Sequence, residues 1–126
     1  MITAKYKKEK YQAEITNGKE TIMVDIPVDK GGGGEYFDPT ELLSGALAAC
    51  FNITARFILD ARHVEYRDII TNIDLEEIAG EKTIFKYKII IDADISEADK
   101  DKYIKMILKG CHTHKLLEQK TEFMPM

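Results

Sequence analysis

Residues Asp38-Pro-Thr-Glu-Leu-Leu-Ser-Gly-Ala-Leu-Ala-Ala-Cys-Phe-Asn-Ile-Thr-Ala-Arg-Phe-Ile-Leu-Asp60 read as one long helix with its start signal written in. Asp38 is a good N-cap, because its carboxylate can accept from the free N–H groups of the first turn. Pro39 suits the first helical position, where no N–H is needed, and Glu41 completes a capping box. Ser44, Gly45, Ala46, Ala48 and Ala49 make a surface with almost no bulk, open to close approach by another backbone. Leu42, Leu43, Phe57, Ile58 and Leu59 make the rest of the helix too apolar for one small shell to cover, which is a physical motive for dimerisation. In the middle sits a thiol, Cys50.

Upstream, strand-like alternation runs over residues 2–7, 10–16 and 20–26, with Ile22, Val24 and Ile26 on one face. Asn17-Gly18 predicts a tight type I′ hairpin turn, so the N-terminal third is expected to be an antiparallel meander. Gly31 to Gly34 would suit a phosphate loop only with a closing Gly-Lys-Ser/Thr, which is missing. A flexible strand-to-helix link is the expectation. Downstream, a long apolar run over about 64–78 has an imperfect period that suggests a bulge. The turn Ala79-Gly-Glu-Lys82 and the alternating run Thr83–Asp92 then complete a second hairpin. Ser96-Glu-Ala-Asp99 opens another capped helix, Gly110 stops it, and Cys111–Leu117 forms a short last one. The order is βββ–α–ββ–αα, an α+β fold with antiparallel sheets around a long central helix, expected to be a single domain over residues 1–126.

The composition of the 126-residue chain, 44% hydrophobic and 32% charged, is that of a globular protein rather than a disordered one. Its formal net charge of −4 argues against nucleic acid and anionic membrane as partners. No apolar run is expected to reach the roughly 18–20 residues of a membrane span, and Met1-Ile2-Thr3 begins no signal peptide. A cytoplasmic location is therefore expected, where two cysteines would not serve as a structural staple. They are either small buried hydrophobes or reactive groups.

A free thiol has a pKa of about 8.5 unless a positive charge or a helix N-terminus lowers it. Cys111 starts a short helix, with His112, His114 and Lys115 nearby, so local dipole physics makes it the more acidic thiol. Cys50, mid-helix, gains nothing from its own helix. A metal site is not expected, because zinc wants about four convergent ligands. Cys111, His112 and His114 are one short cluster whose members do not share a helical face. His63 follows the long helix as a C-terminal dipole partner. No cofactor motif is present.

The run Pro39-x-Glu-Leu-Leu-x-x-Ala-Leu-Ala-Ala-Cys50 resembles the signature of the OsmC/Ohr family, the osmotically inducible and organic hydroperoxide resistance proteins. A second cysteine near the C-terminus, Cys111 with Leu116 five residues on, fits the same resemblance, as does the element order over nearly the whole chain. The resemblance implies an intertwined homodimer with the long helices at its centre and active sites at the subunit interface. It also implies a thiol-dependent peroxidase, in which Cys50 attacks an organic hydroperoxide and becomes a sulfenic acid. Cys111 then resolves it as a disulfide, which a dithiol reductant reopens. That assignment reverses the order of acidity that dipoles alone give.

Two features depart from the family pattern. Peroxidase members bring an arginine from before the helix against the reactive thiol, and here no arginine precedes Arg56. They also place a glutamate ten positions before the helix cysteine, which lands on Thr40, with Glu41 adjacent. Glu41 is explained as a cap; Thr40 and Glu41 are the possible supporting residues. The departures leave a competing expectation: a dimer without peroxidase activity, binding a small apolar or thiol-bearing molecule at its interface.

Overall fold

Alternating strands and a capped apolar helix produce the elements in the expected order. The computed structural model describes residues 1–126 as two compact units, Met1–Leu43 and Ser44–Met126. In the first unit, β1 (Thr3–Tyr6), β2 (Ala13–Thr16) and β3 (Thr21–Val24) form an antiparallel meander in that order. The Asn17-Gly18 turn differs from the two-residue type I′ form. Thr16 pairs with Thr21, so the loop holds four residues, and Gly18 takes a φ of 91° while Asn17 stays out of the left-handed region. Instead the Asn17 Oδ1 accepts from the N–H groups of Lys19 at 2.8 Å and Glu20 at 2.9 Å. The side chain has taken over the turn, as short polar side chains do.

The glycine run is not a flexible link. It folds over the buried carboxylate of Asp25, which is 2% exposed. Asp25 Oδ2 accepts from the Glu35 N–H at 2.9 Å and Oδ1 from the Tyr36 N–H at 3.1 Å. The Gly34 N–H donates to Ile26 O at 3.1 Å, and a Cβ on Gly32 would lie 2.1 Å from that same carbonyl oxygen. Only glycine fits there. Asp25→Ala leaves two inward N–H groups without their acceptor and is expected to destabilise the protein by about 1–3 kcal/mol. Asp25→Asn, whose amide oxygen still accepts, is expected to lose less. Urea titration of the two variants against the parent checks both values.

The long helix α1 (Pro39–Ala61) spans 23 residues. Its capping box forms: the Asp38 N–H donates to Glu41 Oε2 at 2.9 Å and the Glu41 N–H to Asp38 Oδ1 at 2.8 Å. At its far end, the Val64 N–H closes back on Leu59 O at 3.0 Å and His63 takes a φ of 54°. By length and composition α1 is long and apolar enough to cross a membrane, contrary to the sequence expectation. The core helix of a soluble protein meets the same measure.

In the second unit α1 buries Leu47, Phe51, Ala55 and Leu59, a strict every-fourth-residue stripe. Against it lie β4 (Asp68–Ile78) and β5 (Lys82–Asp92), which pair along all eleven residues of each strand. The register is unbroken from Asp68 opposite Asp92 to Ile78 opposite Lys82, so the expected bulge is absent. The imperfect period arises because Ile70 points away from the core and remains half-exposed. Two polar ties fix the helix to the sheet: Asn52 Nδ2 donates to Ile69 O at 2.7 Å and Thr71 Oγ1 to Ala48 O at 2.7 Å.

Helix α2 (Glu97–Gly110), capped by the Ser96 side chain, adds Tyr103 and Ile107 to the same core. The last helix, α3 (His112–Glu118), follows directly, with Cys111 as the single residue between the two. Burial of the Leu47, Phe51, Leu59 and Ile107 side chains contributes roughly 1.5–3 kcal/mol each. The opposite face of α1 stays open, with Ile53 51% and Phe57 72% exposed.

Candidate functional site

The structure brings the two cysteines together. The Cys111 Sγ–H donates to Cys50 Sγ at 2.8 Å, inside sulfur van der Waals contact yet longer than the roughly 2.05 Å of a disulfide. Both are free thiols. Gly110 makes the approach possible. It is the last residue of α2, as the sequence suggests, and its φ is ordinary. A Cβ there would lie 3.3 Å from Thr54 Cγ2 and 4.0 Å from Ile58 Cδ1. Glycine lets the end of α2 press onto α1 one turn beyond Cys50, which delivers Cys111 to its partner.

The order of acidity is the reverse of what dipoles alone suggest. Burial raises the Cys50 thiol, but hydrogen bonds from Cys111, from the Thr113 hydroxyl and N–H, and from Thr54 outweigh it and bring the pKa down to about 7. The Thr54 contact is long, at 4.0 Å. Burial and donation to Cys50 push Cys111 up to about 11. Its own N-cap bond, from the His114 N–H to Cys111 Sγ at 3.4 Å, works the other way and is outweighed. Helix α3 is only seven residues long, and its first N–H groups are divided between two sulfurs. The thiol that receives more donors becomes the thiolate, and the one that supplies a proton stays neutral.

No cation lowers Cys50. His112 and Lys115 are exposed, and the ring of His114 is engaged elsewhere. Its Nδ1 meets Leu108 O at 2.8 Å and its Nε2 meets Glu118 Oε1 at 3.2 Å. The groups that lower Cys50 are neutral: Cys111, Thr113 and Thr54. Sequence reasoning missed both threonines. Thr54 stands one helical turn after Cys50, and Thr113 lies in the first turn of a helix capped by a cysteine. Those spacings were the available signal. Glu41 is occupied in its cap, and Thr40 is exposed in the same turn.

A cavity of about 420 Å³ is lined by Leu47, Phe51, Phe85, Tyr87, Leu108 and Leu117 with Thr83, His114 and Glu118; neither cysteine lines it, but Phe51 and His114 adjoin the cysteine-bearing turns. Leu47 and Phe51 flank Cys50 on α1. The Phe51 ring meets Tyr87 edge-on at 6.0 Å and His114 edge-on at 5.9 Å. A larger open depression of about 1010 Å³ is lined by Asp60, residues 63–67, Asp94 and Ile95, and includes neither cysteine. Chemically, the site offers a thiolate near neutral pH and a protonated thiol touching it.

The family model described as OsmC-like protein matches residues 32–124, from the glycine run through both cysteines. The YmaD protein of Bacillus subtilis (strain 168) is 28% identical over 91 residues, which cover 68% of this chain and 61% of that protein. The chain thus spans less than two thirds of the length of that relative. An OsmC-like protein from Mycoplasma pneumoniae superimposes with a TM-score of 0.78 at 20% identity, over 94% of this chain and 86% of that one. An organic hydroperoxide resistance protein OsmC from Legionella pneumophila, described as a predicted redox protein, superimposes with a TM-score of 0.69 at 15% identity, over 94% and 88% of the two chains.

Proposed function

Because the chain belongs to the OsmC-like family, we propose that it is a thiol-dependent peroxidase that reduces organic hydroperoxides through Cys50 and Cys111. The observation that carries this reading is the pair itself: two thiols 2.8 Å apart, one lowered to about 7 and the other raised to about 11. The Cys50 thiolate attacks the distal oxygen of the hydroperoxide, the O–O bond breaks, and the alkoxide leaves with a proton as the alcohol. Cys50 is now a sulfenic acid. The sulfur of Cys111 attacks it, the S–O bond breaks, and the hydroxyl departs as water with the Cys111 proton. The product is a Cys50–Cys111 disulfide, and an external dithiol exchanges it back to two thiols while becoming a disulfide itself.

We further propose that the working unit is a cytoplasmic homodimer, with neither nucleic acid nor membrane as a partner. The half-exposed Ile53 and the open Phe57 on one face of α1 support it. A contiguous apolar stripe of this kind calls for a second protein surface. The direct test is consumption of cumene hydroperoxide with dithiothreitol as reductant. Turnover that saturates with peroxide is expected, and no consumption above the protein-free rate would overturn the proposal. A second reading, a family member that binds a small apolar or thiol-bearing molecule without turning it over, is favoured by the apolar cavity and by the absence of a cation at Cys50. Native mass spectrometry separates the two: that reading requires a retained ligand.

A further inference from the structure

We infer that His114 is a positioning residue, which holds the first turn of α3 against the two thiols by clamping that helix to the end of α2. The inference rests on the assignment of Cys50 as the reactive thiol, but its test reads thiol ionisation and needs no peroxidase activity.

The geometry is a chain of short contacts around one half-buried ring. His114 Nδ1 lies 2.8 Å from Leu108 O, in the last turn of α2, where helix carbonyls lack internal partners. A carbonyl can only accept, so Nδ1 carries the hydrogen. Nε2 lies 3.2 Å from Glu118 Oε1, at the far end of α3. The ring's flank rests edge-on against Phe51, the residue after Cys50. Meanwhile the backbone N–H of His114 donates to Cys111 Sγ at 3.4 Å, and its neighbour Thr113, in the same first turn, is among the groups that lower the Cys50 pKa. One residue thus joins the end of α2, the end of α3, the core face of α1 and the thiol pair.

A seven-residue helix has little stability of its own, so its first turn needs tertiary anchors to present donors at fixed positions. The neighbouring ionisable groups do not duplicate the clamp. Lys105, Lys109 and Lys115 line the shallow groove beside His114 together with Glu118, and none of these lysines contacts either sulfur.

The experiment is a pH titration of Cys50 in the full chain, by rate of alkylation with iodoacetamide and by thiolate absorbance. His114→Ala removes the clamp. Its midpoint is expected to rise by about one pH unit, which lowers the thiolate fraction at pH 7 about fivefold. His114→Asn, whose amide N–H₂ takes the place of Nδ1 toward Leu108 O, is expected to restore most of the parent midpoint. Should the alanine variant fold poorly by circular dichroism, His114→Gln serves as the comparison, since it reaches toward Glu118 but not Leu108 O. An unchanged midpoint in a folded variant that lacks the Leu108 bond would overturn the inference. So would an asparagine variant shifted as far as alanine.

Discussion

Cys50→Ser is expected to lose peroxide reduction by at least about a thousandfold, because a serine hydroxyl is not ionised near pH 7 and is a poor nucleophile toward an O–O bond. The substitution is nearly isosteric, and the introduced hydroxyl can still accept from Cys111 and Thr113. The fold should therefore stay intact, and the loss should appear in turnover rather than in stability. Hydroperoxide consumption with dithiothreitol reads the first, and a urea unfolding curve the second. A variant that retained a tenth of the parent rate would remove Cys50 from the chemistry.

The second large effect separates the two jobs of Cys111. As a resolving thiol it must attack a sulfenic acid, and as a donor it must hold a proton toward Cys50. Cys111→Ser keeps a hydroxyl donor but cannot form a disulfide. Cys50 should still titrate near 7, react once with hydroperoxide, and stop as a sulfenic acid that dimedone traps. Cys111→Ala removes both roles. Its Cys50 midpoint should move back toward the ordinary thiol value of about 8.5, which cuts the thiolate fraction at pH 7 about fifteenfold. Alkylation rate against pH resolves the two variants.

The same pair sets the pH dependence of stability. Cys50 has a folded pKa below the unfolded one, so its thiolate contributes stability above the ordinary thiol value of about 8.5, and that contribution is lost as pH falls toward 7. Cys111, raised to about 11, contributes while protonated below pH 9 and loses it as pH rises through 11. The two contributions run in opposite directions.

Features decided within a few residues were legible in the sequence. Asp38, Pro39 and Glu41 announce the start of α1, and Ser96 that of α2, because a cap is a contact between neighbours. The order of strands and helices followed from periodicity in the same way. Where a distant group decides, the sequence was silent or misleading. The glycine run reads as a flexible link until the carboxylate of Asp25 is seen beneath it. Gly110 does end α2, but its missing side chain also serves contact with Thr54 and Ile58, which no local pattern shows. Dipole reasoning ranked Cys111 above Cys50 in acidity because it could not know which thiol would be buried as a donor. The family resemblance implies the opposite assignment, and in the structure Cys50 is the thiol lowered, by Cys111, Thr113 and Thr54.

The most direct test of the central claim is a single-turnover experiment on the fully reduced protein. One equivalent of cumene hydroperoxide is added without reductant, and peptide mapping follows by mass spectrometry. The account predicts one equivalent of cumyl alcohol, loss of both free thiols, and a Cys50–Cys111 bridge within one chain. Two intact thiols beside unreacted hydroperoxide would contradict it.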